Sequence, residues 1–155
     1  MEVMHPNYEN CCHRPESLRK VVLWLMNIVK NTDRNVIWAS GVSGVVVGSA
    51  LSYATGLPLS IVRKKEDASD HYEKSKQGPT HLLRPLIVDD LVASGKTMRR
   101  IIKAINPTAR RDIVIALYHD GADPSWILKH IAAPSDAKIR VCAEVIDGEG
   151  GDDSE

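Results

Sequence analysis

Two adjacent acids, Asp89 and Asp90, stand two residues ahead of the small-residue run Ala93-Ser94-Gly95-Lys96-Thr97, and no other group of side chains in the sequence is as well suited to chemistry. Paired carboxylates can accept hydrogen bonds from vicinal hydroxyls, or help place a metal ion that bridges hydroxyls and phosphate. The run from Ala93 to Thr97 suits the phosphate itself, if a helix begins there. A helix N-terminus offers unpaired backbone N–H groups and the positive end of its dipole. Acids and cradle together suggest a phosphorylated sugar. Gly95-Lys96-Thr97 also reads like the end of a nucleoside triphosphate P-loop, but that motif needs a glycine five residues before Gly95. Asp90 stands there, and an acid would repel the phosphates.

The elements around this run must hold it in place. Leu86, Ile87 and Val88 form an unbroken apolar run, the mark of a parallel strand covered on both faces, and Met98 to Ile105 repeats its apolar residues at helical spacing. A second strand-to-helix junction has the same plan: Asn35 to Ala39 reads as a buried strand and Ser40-Gly41-Val42-Ser43-Gly44 as a turn onto a helix from Val45 to Thr55. Gly41 and Gly44 would let that turn fold closely around anionic oxygens. Gly56 is placed to cap the helix, and Leu57 to Val62 runs as a strand into Arg63-Lys64-Lys65. In an open α/β sheet ligands sit outside the carboxyl ends of the strands, where both turns would meet. Further strands are expected over Arg111–Tyr118 and Ile139–Ile146, with a short helix from Ile127 to about Ile131 between them. Residues 66–84 are polar and charged and read as a mobile loop. Leu18, Val21, Val22, Leu25, Met26 and Val29 mark one face of a helix from Glu16 to Lys30, which should pack on the sheet or cap the site.

Asp89 through Thr97, after its hydrophobic strand, resembles the type I phosphoribosyltransferases. Their hallmark is two acids, two apolar residues, one variable residue, Thr or Ser, Gly, any residue and Thr, and every position is met here. The resemblance implies a single α/β domain with a mostly parallel central sheet flanked by helices and carrying a small hood. It further implies transfer of a phosphoribosyl group from phosphoribosyl pyrophosphate (PRPP) to a nucleobase, with magnesium required and a homodimer as the assembly. Asp89 and Asp90 would then be the catalytic pair, binding the ribose hydroxyls and helping to hold Mg2+ indirectly, through ribose or water. Ala93, Ser94, Gly95, Lys96 and Thr97 would wrap the 5-phosphate.

Ser40 to Lys65 is similar to the unit that precedes the catalytic loop in the adenine and orotate branches. That assigns the pyrophosphate to Gly41, Val42, Ser43, Gly44, Lys64 and Lys65. Adenine-type enzymes have Arg where Ser43 stands, so the contacts here would fall on backbone N–H groups. The downstream layout is more similar to the hypoxanthine-guanine and xanthine enzymes, in which an aromatic residue stacks on the purine. Trp126 in Asp123-Pro-Ser-Trp would be that platform, or else an anchor of the C-terminal helix. The usual 6-oxo-recognising lysine near Tyr118 or His119 and the acid at Ala93 are both absent, so a purine is favoured without the base being fixed. A PRPP-binding regulatory protein that has lost chemistry is the alternative, and a phosphoribosyl hydrolase, or a transferase with an acceptor other than a nucleobase, a third reading.

A chain of 155 residues with 43% apolar content supports one core, here expected over 16–147, with a flexible arm at 1–15 and a disordered acidic tail at 148–155. Zero formal net charge argues against nucleic acid as a main partner. No stretch reaches 18 uninterrupted apolar residues and no signal core follows a basic N-terminus, which points to the cytoplasm and away from a membrane. Three cysteines, two of them the adjacent Cys11 and Cys12, make no disulfide framework and read as free thiols. The sequence holds no internal repeat.

Overall fold

The computed structural model describes residues 14–63 and 76–146. In chain order the elements are α1 (Pro15–Thr32), β1 (Val36–Ala39), α2 (Gly41–Thr55), β2 (Leu59–Val62), β3 (Lys76–Gln77), β4 (Pro85–Asp89), α3 (Lys96–Ala104), a 3₁₀ turn (Ala109–Arg111), β5 (Ile113–Leu117), α4 (Pro124–Ile131) and β6 (Ile139–Ala143). The six strands form one sheet in the order β3-β2-β1-β4-β5-β6, parallel throughout except for β3, which pairs antiparallel with β2.

Period-2 alternation divides the buried strands between two apolar layers. Ile37, Leu86, Val88, Val114, Ala116 and Tyr118 face α1 and α2, where they meet Val21, Leu25, Val47 and Leu51. Trp38, Ile87, Ile115 and Leu117 face α3 and α4, against Met98, Ile101, Ile102, Ile127 and Ile131. Every residue of β1, β4 and β5 is buried, which is why each reads as a continuous apolar run. The chain winds outward from β1 to one side and from β4 to the other, so the order reverses between these two strands. β1 and β4 pair directly, from Val36 opposite Pro85 to Trp38 opposite Ile87. Their carboxyl ends therefore stand side by side at the crevice where doubly wound sheets bind ligands.

Several expected boundaries move. Pro15, placed in the N-terminal arm, opens α1, because a helix's first position has no use for the N–H that proline lacks. That helix packs on the sheet instead of capping the site. Residues 76–84, expected to be part of a mobile loop, include the edge strand β3; Gly78 lies so close to β2 that a Cβ there would clash with the Leu59 carbonyl. A two-residue strand has no periodicity to read. The rest of that loop, residues 64–75, with the arm up to residue 13 and the tail from 147, lies outside the described residues. β6 stops at Ala143, although Val145 still bridges to His119.

At the amino end of the sheet, away from the crevice, buried Arg34 ties the end of α1 to the starts of β4 and β5, its Nη1 lying 3.4 Å from the Pro85 carbonyl. Its Nη2 meets both carboxylate oxygens of Asp112 at 3.0 Å, Nη1 donates to the Asp112 carbonyl at 2.8 Å, and Nε donates to the Thr32 carbonyl at 2.9 Å. Arg34→Met strips these acceptors of their donor and is expected to lower the unfolding free energy by about 2–3 kcal/mol in a denaturant titration. A loss below about 0.5 kcal/mol, the range of ordinary surface substitutions, would show the cluster to be dispensable.

Candidate active site

At the crevice the two junctions close on one cleft of about 230 Å³. Ser40, Gly41 and Ser43 line it from the β1–α2 side, Asp89 to Gly95 with Thr97 and Met98 from the β4–α3 side. α2 begins at Gly41 itself, so the segment expected to be a glycine turn ahead of the helix is its first turn. Gly41 takes a positive φ of 77° to make the corner. Gly44 is required for a different reason: a Cβ on it would stand 2.9 Å from the Val88 carbonyl. The missing side chain lets the helix start press against β4.

Local chemistry leaves both helix starts open to an anion. Ser40 occupies the N-cap position of α2, yet its hydroxyl donates to the Val62 carbonyl at 2.6 Å and caps nothing. α3 follows Gly95, which has no side chain to cap with. By contrast, the N-cap Asp123 of α4 accepts from the Ser125 amide at 2.8 Å and closes that helix start. An uncapped first turn presents its N–H groups to whatever the cleft holds.

Asp89 ends β4 almost fully buried, and Asp90 follows half-buried. The Asp89 Oδ1 accepts from the Asp90 amide at 2.9 Å and from the Ser43 hydroxyl at 3.3 Å, while the Asp90 Oδ1 accepts from the Leu91 amide at 2.8 Å. Burial pushes the Asp89 carboxyl well above the usual carboxylate range, and the hydrogen bond and like charge of Asp90 push the same way. The Asp90 amide and the Ser43 hydroxyl oppose that rise. Ser43 thus joins the two junctions through Asp89. Behind it the buried Tyr118 hydroxyl donates to the Ser43 carbonyl at 3.2 Å. The carboxylate of buried Asp120 accepts from the Val92 amide at 3.0 Å and the Ala122 amide at 2.9 Å, which fixes the start of the loop between β4 and α3.

Of the residues expected at the site, Gly41, Ser43, Asp89, Asp90, Ala93, Ser94, Gly95 and Thr97 line the cleft. Gly44 supports it from behind. Lys96 is exposed and does not line it. Val42 is also exposed and lines, with Arg63, an apolar groove on the far side of Gly41. Trp126 stands on α4 outside the cleft, half exposed and stacked on His130 with ring centroids 4.6 Å apart. Lys64 and Lys65 lie outside the described residues. Ser40, Tyr118, Asp120, Arg99 and His130 are parts of the site that sequence reasoning missed. Each acts mainly through a partner remote in sequence, which no local pattern announces.

The described residues hold no cluster of three His, Cys, Asp or Glu that would cage a metal. Two carboxylates between two uncapped helix starts are hard oxygen donors that suit magnesium when substrate oxygens and water complete the shell. No described helix is long and apolar enough to cross a membrane.

A family model described as "Phosphoribosyl transferase domain" matches residues 8–125. The chain belongs to this phosphoribosyltransferase family. It is 32% identical over 142 residues to a hypoxanthine/guanine phosphoribosyltransferase of Methanohalobium evestigatum, covering 82% of this chain and 73% of that one. An HGPRTase-like protein of Haloarcula marismortui is 28% identical over 151 residues, covering 88% and 77%. Other such phosphoribosyltransferase relatives are matched over only 61% of their length. The fold is shared with the crystal structure of a phosphoribosyltransferase from Corynebacterium diphtheriae, at a TM-score of 0.61 and 16% identity over 87% of this chain and 83% of that one.

Proposed function

We propose that this phosphoribosyltransferase transfers the 5-phosphoribosyl group of PRPP to a purine base and releases pyrophosphate. The observation that carries the reading is the convergence of two uncapped helix starts and the Asp89–Asp90 pair on one cleft at the reversal of strand order. One helix start serves the 5-phosphate and the other the pyrophosphate, with the acids on the ribose between them. The relatives named for hypoxanthine and guanine favour a purine, and they give the non-catalytic reading no support.

In this mechanism Asp89 and Asp90 accept hydrogen bonds from the ribose hydroxyls and bring negative charge close to the ring, where positive charge builds as the bond from C1 to pyrophosphate lengthens. The amides from Ala93 to Thr97 hold the 5-phosphate at one end. The amides of the Gly41–Gly44 turn, with Lys64 and Lys65, hold the leaving pyrophosphate at the other. Held from both ends, the ribose presents one face to the incoming base nitrogen, and the catalytic work is positioning and electrostatics. Magnesium, when bound, supplies charge neutralisation for the pyrophosphate oxygens. The working form is a cytoplasmic homodimer.

The test is pyrophosphate release from PRPP and magnesium, run without base and then with adenine, guanine, hypoxanthine, xanthine, orotate and uracil. Turnover with a 6-oxopurine is the expected result. Release without any base would instead make the protein a hydrolase, and binding of PRPP without turnover on any base would make it a sensor.

A further inference from the structure

Resting on that reading of the cleft, we infer that His130 and Arg99 are positioning residues that turn the amides of the phosphate loop inward by holding its carbonyls from outside. The His130 ring meets the Ala93 carbonyl through Nε2. A carbonyl only accepts, so His130 presents Nε2–H to it. Arg99 reaches the Ser94 carbonyl with Nη2 at a longer 3.4 Å, and its backbone amide donates to the Gly95 carbonyl at 3.0 Å. Three successive carbonyls are therefore directed at groups that do not line the cleft, whereas Ala93, Ser94 and Gly95 themselves do.

Peptide planarity converts this outer grip into an inner binding surface. No described peptide bond is cis, and across a trans peptide the carbonyl and the next N–H point in opposite directions. Fixing the carbonyls of Ala93, Ser94 and Gly95 outward directs the N–H groups of Ser94, Gly95 and Lys96 toward the cleft. Among the described residues no acceptor meets the Ser94 or Gly95 amide, and the Lys96 amide donates a long bond of 3.3 Å to the Ser94 hydroxyl. Such a row of converging donors is an anion nest.

The grip has little slack. Arg99 also donates from Nη1 to the Ile131 carbonyl at 3.0 Å, satisfying an orphan acceptor at the end of α4. Gly95 is buried against that same end, where a Cβ would stand 2.8 Å from Arg99 Nη1 and 3.0 Å from the His130 carbonyl. Trp126 stacks on the imidazole nearly in parallel, at 12°, which holds the ring plane for its hydrogen bond. In this inference the tryptophan supports the phosphate end of the substrate through His130, whatever it does for the base.

Two substitutions separate donor from ring. His130→Phe keeps an aromatic on Trp126 and removes the N–H, while His130→Gln removes the ring and keeps an amide donor. The full chain is assayed for KM of PRPP and of the accepted base, for kcat, and for calorimetric binding of ribose 5-phosphate, with thermal unfolding alongside. His130→Phe is expected to raise the KM of PRPP and the Kd of ribose 5-phosphate about five- to tenfold, the worth of one hydrogen bond, with base KM and kcat changed less. His130→Gln should recover most of that loss, and Arg99→Ala should repeat the pattern of His130→Phe. The reverse order, Phe like wild type and Gln impaired, would make the role one of ring packing and overturn the inference, as would equal KM values in all variants. If the wild type binds neither PRPP nor ribose 5-phosphate, both this inference and the proposed function fail; if it binds and turns over but the variants do not differ, only this inference fails.

Discussion

Asp89→Asn is expected to make the protein more stable at pH 7 and far less active. Burial raises the Asp89 carboxyl above its ordinary range, so the folded state holds this proton more tightly than the unfolded chain does. Between the unfolded value, near about 3.9, and the raised folded value the native state binds the extra proton, and stability falls as pH rises through that interval. Above the folded value the cost of a buried charge is fully present; below about 3.9 it is absent. Asparagine is neutral at every pH and its carbonyl can still accept from the Asp90 amide and the Ser43 hydroxyl. The variant should therefore melt higher at pH 7, each kcal/mol released appearing as roughly 2–4 °C, and the gap should close as the pH drops below about 4.

Activity should move the other way. A carboxylate that accepts from ribose hydroxyls is worth about 1.5–3 kcal/mol per charged hydrogen bond, so kcat/KM for PRPP should fall about 10- to 100-fold. Thermal melts across pH 3–8 with kinetics at pH 7 test both halves. A variant no more stable than wild type at pH 7 would show that water and neighbouring dipoles already solvate the charge. Unchanged kinetics would remove Asp89 from the site.

How much of this was legible depends on whether the cause lies within the local sequence. Strand β4, the acids and helix α3 were readable because apolar runs, helical spacing and Gly95 are adjacent in the chain. The start of α2 was not: Gly-Val-Ser-Gly resembles a loop, and its glycines serve a helix whose first turn must approach a strand more than 40 residues away. Asp123-Pro124-Ser125 did carry a cap and a first-turn proline, so the true start of α4 was available in the sequence, although the apolar pattern drew the boundary to Ile127. Asp120, Arg99 and His130 act on backbone atoms placed by the topology, and Arg34 on Asp112 across the end of the sheet. A charged residue in a polar stretch gives no hint of such a partner. The site residues legible in advance were mostly those that line the cleft, and the hidden ones hold its backbone in shape.

Gly44→Ala tests that division, because it adds one methyl group where the start of α2 presses against β4. Helix propensity alone favours the change by about 1 kcal/mol. Against this, the new Cβ would sit 2.9 Å from the Val88 carbonyl, a backbone atom inside a buried strand that has no rotamer to adopt. The first turn of α2 must retreat from β4, and with it go the Ser43 hydroxyl bond to Asp89 and the Ser43 carbonyl that receives Tyr118. Overpacking of this kind costs about 1–3 kcal/mol, and a displacement of about 1 Å between catalytic groups can cost about a hundredfold in rate. Gly44→Ala is thus expected to lower stability slightly and kcat/KM for PRPP at least about tenfold. Gly48→Ala is the matched control on the same buried face of the helix: its Cβ would meet the Leu59 Cδ1 at 3.2 Å, the far end of a side chain that can turn aside. It should gain the helix propensity and keep its kinetics. If the two alanines behave alike, the contact between the α2 start and β4 is not what brings the pyrophosphate turn and the acids together; if only Gly44→Ala loses activity, one backbone contact sets the distance between the two ends of the substrate.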